Sequence, residues 1–236
     1  MFSRGNVKEK ARIMAMGTVR DAVGCAAVDL YAGIGYFAFP YRRAGVRTVV
    51  GWEINGWSVE GLRRGAGLNG WGVRVVVPGG GGGGEEGDGG ALEGEEEERD
   101  FVVFCEDNAH AARRVEGMRQ RLPPVRHVNA GLLPTSRGAW ETAVRVLEPR
   151  LGGWMHLHEN FGEREVRERA EEVVGEVRRI WGKVRAERCG GGLEVGADVG
   201  DVVRLEHVER VKTYAPGVLH CVLDIWIAPT GTKPRA

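Results

Sequence analysis

Net charge is absent from this chain: 33 basic residues meet 33 acidic ones. Such a domain is no polycation, so any nucleic acid it binds must be held by a local patch or by another domain. Cysteine is sparse. Cys25, Cys105, Cys189 and Cys221 stand far apart and form no CxxC pair. That spacing disfavours a disulfide framework or a zinc site and points to buried thiols in a reducing compartment. No apolar run approaches the ~20 residues of a spanning helix. Met1–Arg12 is charged and polar, unlike a signal peptide. The expectation is a soluble cytoplasmic protein. Hydrophobic residues make up 42% of 236 residues, enough for the core of one α/β domain with an appendage.

What the chain does have is a βαβ signature at Ala26–Glu53, AAVDLYAGIGYFAFPYRRAGVRTVVGWE. Ala26–Leu30 reads as a short strand ending near Asp29. Tyr31–Gly35 is a turn with Gly33 and Gly35 two apart. Tyr36–Arg43 suits a helix, Gly45 closes it, and Arg47–Trp52 is a second strand before Glu53. This pattern belongs to a doubly wound sheet with a crevice at the carboxyl ends of its strands. The glycines let the backbone pass close to a ligand. Asp29 can meet an ammonium at the strand mouth, and Glu53 can accept both hydroxyls of a ribose. Gly33-x-Gly35-x-x-Ala38 nominally fits a nicotinamide dinucleotide. An acid four residues before Gly33 would repel a pyrophosphate, so S-adenosylmethionine is the favoured cofactor. The plain alternative is a turn whose glycines serve packing alone, and the paired acids weigh against it.

The opening segment, residues 1–25, pairs a turn at Ser3–Asn6 with a short basic helix from Val7 to Met16. It could close over a cofactor or lie as a solvated amphipathic helix. A helix is expected from Trp57 to Leu68. Pro78–Asp100 is low in complexity, with six consecutive glycines at Gly79–Gly84 and a glutamate run at Glu95–Glu98. It is expected to be a disordered insertion. Phe101–Cys105 is the next strand. Asp107-Asn108 at its end can read adenine, and an acid or amide there can equally cap a helix over Ala109–Met118. Arg126–Gly131 leads into Leu132–Ser136, where enzymes of this kind meet their substrate. Amine methylators often carry Asn/Asp-Pro-Pro-aromatic at this point. Asn129-Ala130-Gly131-Leu132-Leu133-Pro134 departs from that. Ser136 is expected to cap a helix through Leu147 with Trp140 inward. Gly153–His158 is a fifth strand with His156 and His158 on one face. No third metal ligand is evident, so packing or supporting roles suit these histidines better than a metal site. Glu163–Arg188 is a long charged helix with an apolar stripe. Val202–Tyr214 and Val218–Ile227 form a closing antiparallel pair.

Together, FSRGNVKEKAR, VDLYAGIGYFAFP, GWEINGWSVEGLRR, CEDNAHAA, HVNAGLLPTSRGAW, GGWMHLHEN and VKTYAPGVLHCVLDIWI resemble two sister groups of tRNA-modifying enzymes. These are the guanine-N1-methyltransferases that act beside the anticodon and the wybutosine-synthesising aminocarboxypropyl transferases. NAGLLPTS and LHEN are more similar to the transferases. The resemblance implies a Rossmann-like S-adenosylmethionine-dependent methyltransferase fold over residues 26–236, with a mostly parallel seven-stranded sheet and an antiparallel last strand. It implies cofactor contacts from Ser3, Lys10, Glu53, Asp107 and Asn108, beside Asp29, Gly33 and Gly35 from the residues themselves. Asn129 and Arg4 are the candidate catalytic residues, and Pro134, Thr135 and Ser136 the candidate base-lining ones. The chain departs from the group in lacking its N-terminal tRNA-gripping domain, in Ala130 replacing a common leucine, and in the glycine-rich insertion.

The activity implied is transfer of the 3-amino-3-carboxypropyl group to a ring carbon of a wyosine-type base (4-demethylwyosine) beside the anticodon of tRNA-Phe. The partner is that anticodon loop, and the protein is expected to be a monomer without metal or membrane attachment. Guanine N1-methylation is the rival chemistry. A non-catalytic RNA-binding remnant is the rival of another class.

Overall fold

A computed structural model of the chain describes residues 6–22, 24–78, 99–188 and 202–231. The glycine- and glutamate-rich stretch, the loop after Arg188, and Ser3 and Arg4 lie outside them.

The order of elements is α1 (Val7–Ala15), α2 (Gly17–Arg20), β1 (Ala26–Asp29), α3 (Ala38–Arg43), β2 (Thr48–Trp52), α4 (Gly56–Leu68), β3 (Val73–Val76), β4 (Phe101–Phe104), α5 (Ala111–Met118), β5 (Val125–Ala130), α6 (Trp140–Val146), β6 (Gly153–Gly162), α7 (Val166–Arg188), β7 (Val203–Ala215) and β8 (Val218–Ile227). They build one sheet in the order β3-β4-β2-β1-β5-β6-β8-β7. The pairs from β3 to β6 are parallel. β8 runs antiparallel to both β6 and β7.

Every residue of β1 and β2 is buried. Such continuous apolar strands require a cover on both faces. Alternation supplies two cores. Ala27, Val49, Phe101 and Val103 face Ile13 of α1, Tyr41 of α3 and Leu62 of α4. Val28, Val50, Trp52 and Val128 face Val115 of α5, Ala143 of α6 and Val177 of α7. The stripe expected on α7 is buried at Val166, Ala170, Val173, Val174, Val177 and Trp181, Ile180 is partly buried, and Val184 extends the buried face. Each buried valine of that stripe contributes about 1.5 kcal/mol or more. No helix among the described residues is long and apolar enough to cross a membrane.

The sheet has eight strands where seven were expected. The additional edge strand is β3, whose four residues are only half-buried. Its short VRVV run has no apolar alternation and leads straight into the glycine tract. β6 continues to Gly162 instead of stopping at His158, because β8 pairs with it along all ten residues. Glu163–Glu165 form a turn, so α7 begins at Val166. The chain crosses from one half of the sheet to the other at β1, which lies between β2 and β5. A crevice therefore opens above the ends of β1 and β5.

Candidate active site

At the end of β1 the backbone needs its glycines. Gly33 has φ +52° and Gly35 φ +92°, values that side chains disfavour. A Cβ on Gly35 would also come within 2.6 Å of the Phe39 ring. Glu53 follows β2 and turns toward this loop. Its Oε2 accepts from Gly33 N at 2.9 Å and its Oε1 from Asn55 N at 2.8 Å. The carboxylate is therefore fixed, and each oxygen keeps a lone pair for a further donor.

Asp29 is fully buried. Its Oδ1 accepts from Tyr31 N at 3.2 Å and from Asn129 Nδ2 at 3.0 Å. Its Oδ2 is buried with no partner. Burial pushes this carboxyl up to about 6, against the pull of the Asn129 and Tyr31 hydrogen bonds. An orphaned carboxylate oxygen at the mouth of a strand is a place for a cation.

Asp107 accepts from Ala109 N at 2.7 Å and caps a short 3₁₀ turn over Asn108–His110 ahead of α5. Its other oxygen is not used in that bond. Asn108 Nδ2 donates to Leu30 O at 2.8 Å, which ties the end of β4 to the end of β1. Lys10 lies with Nζ 4.9 Å from the centre of the Tyr36 ring, directly after the glycine turn. This contact joins the opening helix to the residue after the glycine turn.

Two of the residues expected to act on the acceptor lie elsewhere than in an open pocket. Asn129 is fully buried, and both ends of its amide are used. Nδ2 donates to Asp29, and Oδ1 faces His158 Nε2 at 3.2 Å. It orients Asp29 and does not open onto a base pocket. Ser136 is also fully buried, and its side chain makes no helix cap. Its N and Oγ both donate to Glu159 Oε1 at 2.9 Å, and Trp140 Nε1 donates to its Oγ at 3.1 Å. Ser136 pins the turn, leaving Pro134 and Thr135 exposed on it. The helix expected to start there begins instead as a 3₁₀ turn at Arg137–Ala139. The Leu133–Pro134 bond is cis. Beside this turn lies a cavity of about 340 Å³, walled in part by Pro134, Thr135, Trp140, Asn160 and Phe161.

Glu159 was missed in the sequence. Burial pushes its carboxyl up, and hydrogen bonds from Thr135 and Ser136 pull it back. It clamps the turn to β6.

The histidines form two buried chains. In the first, Asn129 Oδ1 can only accept, so His158 Nε2 carries a proton. Burial pushes His158 far down, so its Nδ1 is bare and accepts from His220 Nε2 at 3.0 Å. Burial also pushes His220 down to about 4. It is neutral at neutral pH, and its Nδ1 is an acceptor with no partner. In the second chain, Thr18 O accepts from His127 Nε2 at 3.1 Å, and His127 Nδ1 accepts from His156 Nε2 at 3.1 Å. His156 Nδ1 meets Asp224 Oδ1 at 2.7 Å, with a proton between them. Every ring nitrogen of His156 and His158 thus has a hydrogen-bond partner.

Residues 1–80 match the TRM5/TYW2 methyltransferase domain. tRNA wybutosine-synthesizing protein 2 of Schizosaccharomyces pombe is 37% identical over 95% of this chain and 46% of its own. Its Saccharomyces cerevisiae counterpart is 32% identical over 95% of this chain and 44% of its own. The chain thus spans about half the length of these curated relatives. Among solved structures, M. jannaschii TYW2 in complex with AdoMet is 20% identical, covers 97% of this chain and 78% of its own, and superposes with a TM-score of 0.61. The complex of aTrm5 with tRNALeu covers 96% of this chain and 47% of its own, is 18% identical, and superposes at 0.56. The fold is that of these S-adenosylmethionine-dependent enzymes. Over nearly its whole length the chain is a relative of the wybutosine-synthesizing proteins of the TRM5/TYW2 group.

Proposed function

We propose that the chain is the catalytic half of a tRNA aminocarboxypropyl transferase that uses S-adenosylmethionine. The observation that carries this reading is the pair of acids at the crevice: Asp29 with an unmet oxygen at the strand mouth, and Glu53 held by Gly33 N. The pair fits an adenosyl sulfonium and not a dinucleotide. Asp29 Oδ2 would take the ammonium, and Glu53 the ribose hydroxyls. Asp107 and Asn108 would meet the adenine. Lys10 would meet the carboxylate, with Ser3 beside it in the opening motif. Gly33 and Gly35 give the close approach.

The names of the relatives support a wyosine-type acceptor in tRNA, and in this proposal it is the base beside the anticodon of tRNA-Phe. The base must leave the stack to reach the site, at a cost of a few kcal/mol. The cleft decides which of three carbons on the sulfonium lies in line with the nucleophile. In this reaction a ring carbon of the base bonds to the Cγ of the methionine part. The C–S bond breaks toward sulfur, methylthioadenosine leaves, and the ring carbon gives up its proton. Pro134 and Thr135 would border the base, and Arg4 its phosphates. Ser136 and Asn129 act behind them, Ser136 by fixing the turn and Asn129 by aiming Asp29.

Full-length protein incubated with S-adenosylmethionine and precursor tRNA should yield methylthioadenosine. S-adenosylhomocysteine as the sulfur product would reject the transferase in favour of methylation.

A further inference from the structure

Among the described residues, Asn160 is the one side-chain amide whose donor and acceptor atoms are both buried and both without a partner. An amide in that state costs free energy, because its water has been removed and nothing has replaced it. Each such group in a folded protein calls for a reason.

Its position narrows the reason. Asn160 lies near the carboxyl end of β6, two residues beyond His158 and on the same face of the strand. Its own N–H donates to Pro134 O at 2.9 Å, and it borders the cavity beside Pro134 and Thr135. Directly across the ladder stands His220, whose unmet Nδ1 is an acceptor. Facing residues of β6 and β8 therefore leave one N–H donor, one carbonyl and one imidazole lone pair unmet.

The occupant must supply the complements. An open amide suits a flat edge that sets an acceptor beside a donor, the arrangement by which Asn and Gln read a nucleobase. The adenosine end of the cofactor already has its partners at Glu53 and Asp107. We infer that Asn160 recognises the acceptor base through a bidentate hydrogen bond to its donor–acceptor edge, with His220 Nδ1 accepting from a further N–H of the same ring system. This rests on the function proposed above, because it takes the acceptor to be an extruded base. It makes Asn160 a specificity residue for the acceptor, with no part in holding the cofactor.

Asn160→Leu tests it, since leucine is close in volume and removes both unmet atoms. In full-length protein it should lower kcat/KM for precursor tRNA roughly 10- to 100-fold, chiefly through KM. It should leave the Kd for S-adenosylmethionine unchanged and the Tm equal or higher. Wild-type protein that transfers nothing to precursor tRNA overturns the function and this assignment together. Active wild type matched by an equally active Asn160→Leu overturns the assignment alone, as does a loss confined to cofactor Kd. Should Asn160→Leu not fold, Asn160→Ser fits the same space and carries the same comparison. Unchanged kcat/KM in that variant overturns the assignment.

Discussion

Arg12 on α1 grips both carboxylate oxygens of Asp224 on β8, 212 residues along the chain. The same guanidinium also holds Glu9, and Asp224 Oδ1, shared with Arg12, meets His156 Nδ1. This buried cluster fastens the opening helix, and Lys10 with it, to the antiparallel end of the sheet. Burial alone would raise the Asp224 carboxyl. His156 and Arg12 outweigh it and hold the group well below the usual carboxylate range. A depressed folded value means that the stabilisation is present above the unfolded value of about 3.9 and is lost as pH falls through the folded one. Asp224→Asn should therefore cost about 3–5 kcal/mol at neutral pH, the cost of breaking a buried pair from one side. The gap from wild type should shrink in strong acid. Urea unfolding at the two pH values measures it, and a pH-independent gap would contradict the linkage.

Glu53 gives a second prediction. Its carboxylate is held by two backbone N–H groups with lone pairs to spare. Glu53→Ala should weaken S-adenosylmethionine binding by about 1–3 kcal/mol, the cost of leaving the ribose hydroxyls unpaired. Calorimetry reads this directly. An unchanged affinity would mean that another group accepts the ribose.

The glycine-turn crevice was legible in the sequence because its signals are local. A glycine turn between two apolar strands, with an acid at each strand end, fixes Asp29, Gly33, Gly35 and Glu53 within one βαβ unit. The surroundings of the Pro134 turn are assembled from residues distant in sequence, and there local reasoning failed. Nothing near Asn129 indicates that His158, 29 residues on, takes its carbonyl. Ser136 reads as a helix cap by position, yet Glu159 claims it across a bridge from Thr135 to β6. Glu159 stands in the quoted LHEN motif, but strand alternation alone says only which face it takes. β3 escaped notice because a four-residue edge strand carries too little apolar pattern.

Glu159 yields a third prediction. Its Oε1 accepts from both the N–H and the hydroxyl of Ser136, and Trp140 completes the chain. Glu159→Ala leaves those buried donors unmet at about 1–3 kcal/mol. It should lower the Tm and let the Pro134 turn move. If the Pro134 turn borders the acceptor as proposed, kcat/KM for tRNA should fall while cofactor Kd holds. A cofactor Kd that weakens in step with turnover would show that the turn supports both sites.

Asp29 separates binding from stability by pH. Its folded value is raised, to about 6. In the free protein its contribution to stability is therefore fully present below the unfolded value and is lost as pH rises through about 6. Charging it without a partner disfavours the fold at neutral pH by roughly 2–3 kcal/mol. An ammonium at Oδ2 needs the charged form, so the two effects run in opposite directions. S-adenosylmethionine affinity should fall toward tenfold per pH unit below about 6, while the free protein gains stability over the same range. Asp29→Asn keeps the Oδ1 acceptor for Asn129 and Tyr31 but abolishes the charge. It should bind the cofactor weakly and flatten the pH profile. Calorimetry from pH 5 to 8 on both proteins decides it: a wild-type profile as flat as the variant's would mean that the ammonium is held elsewhere.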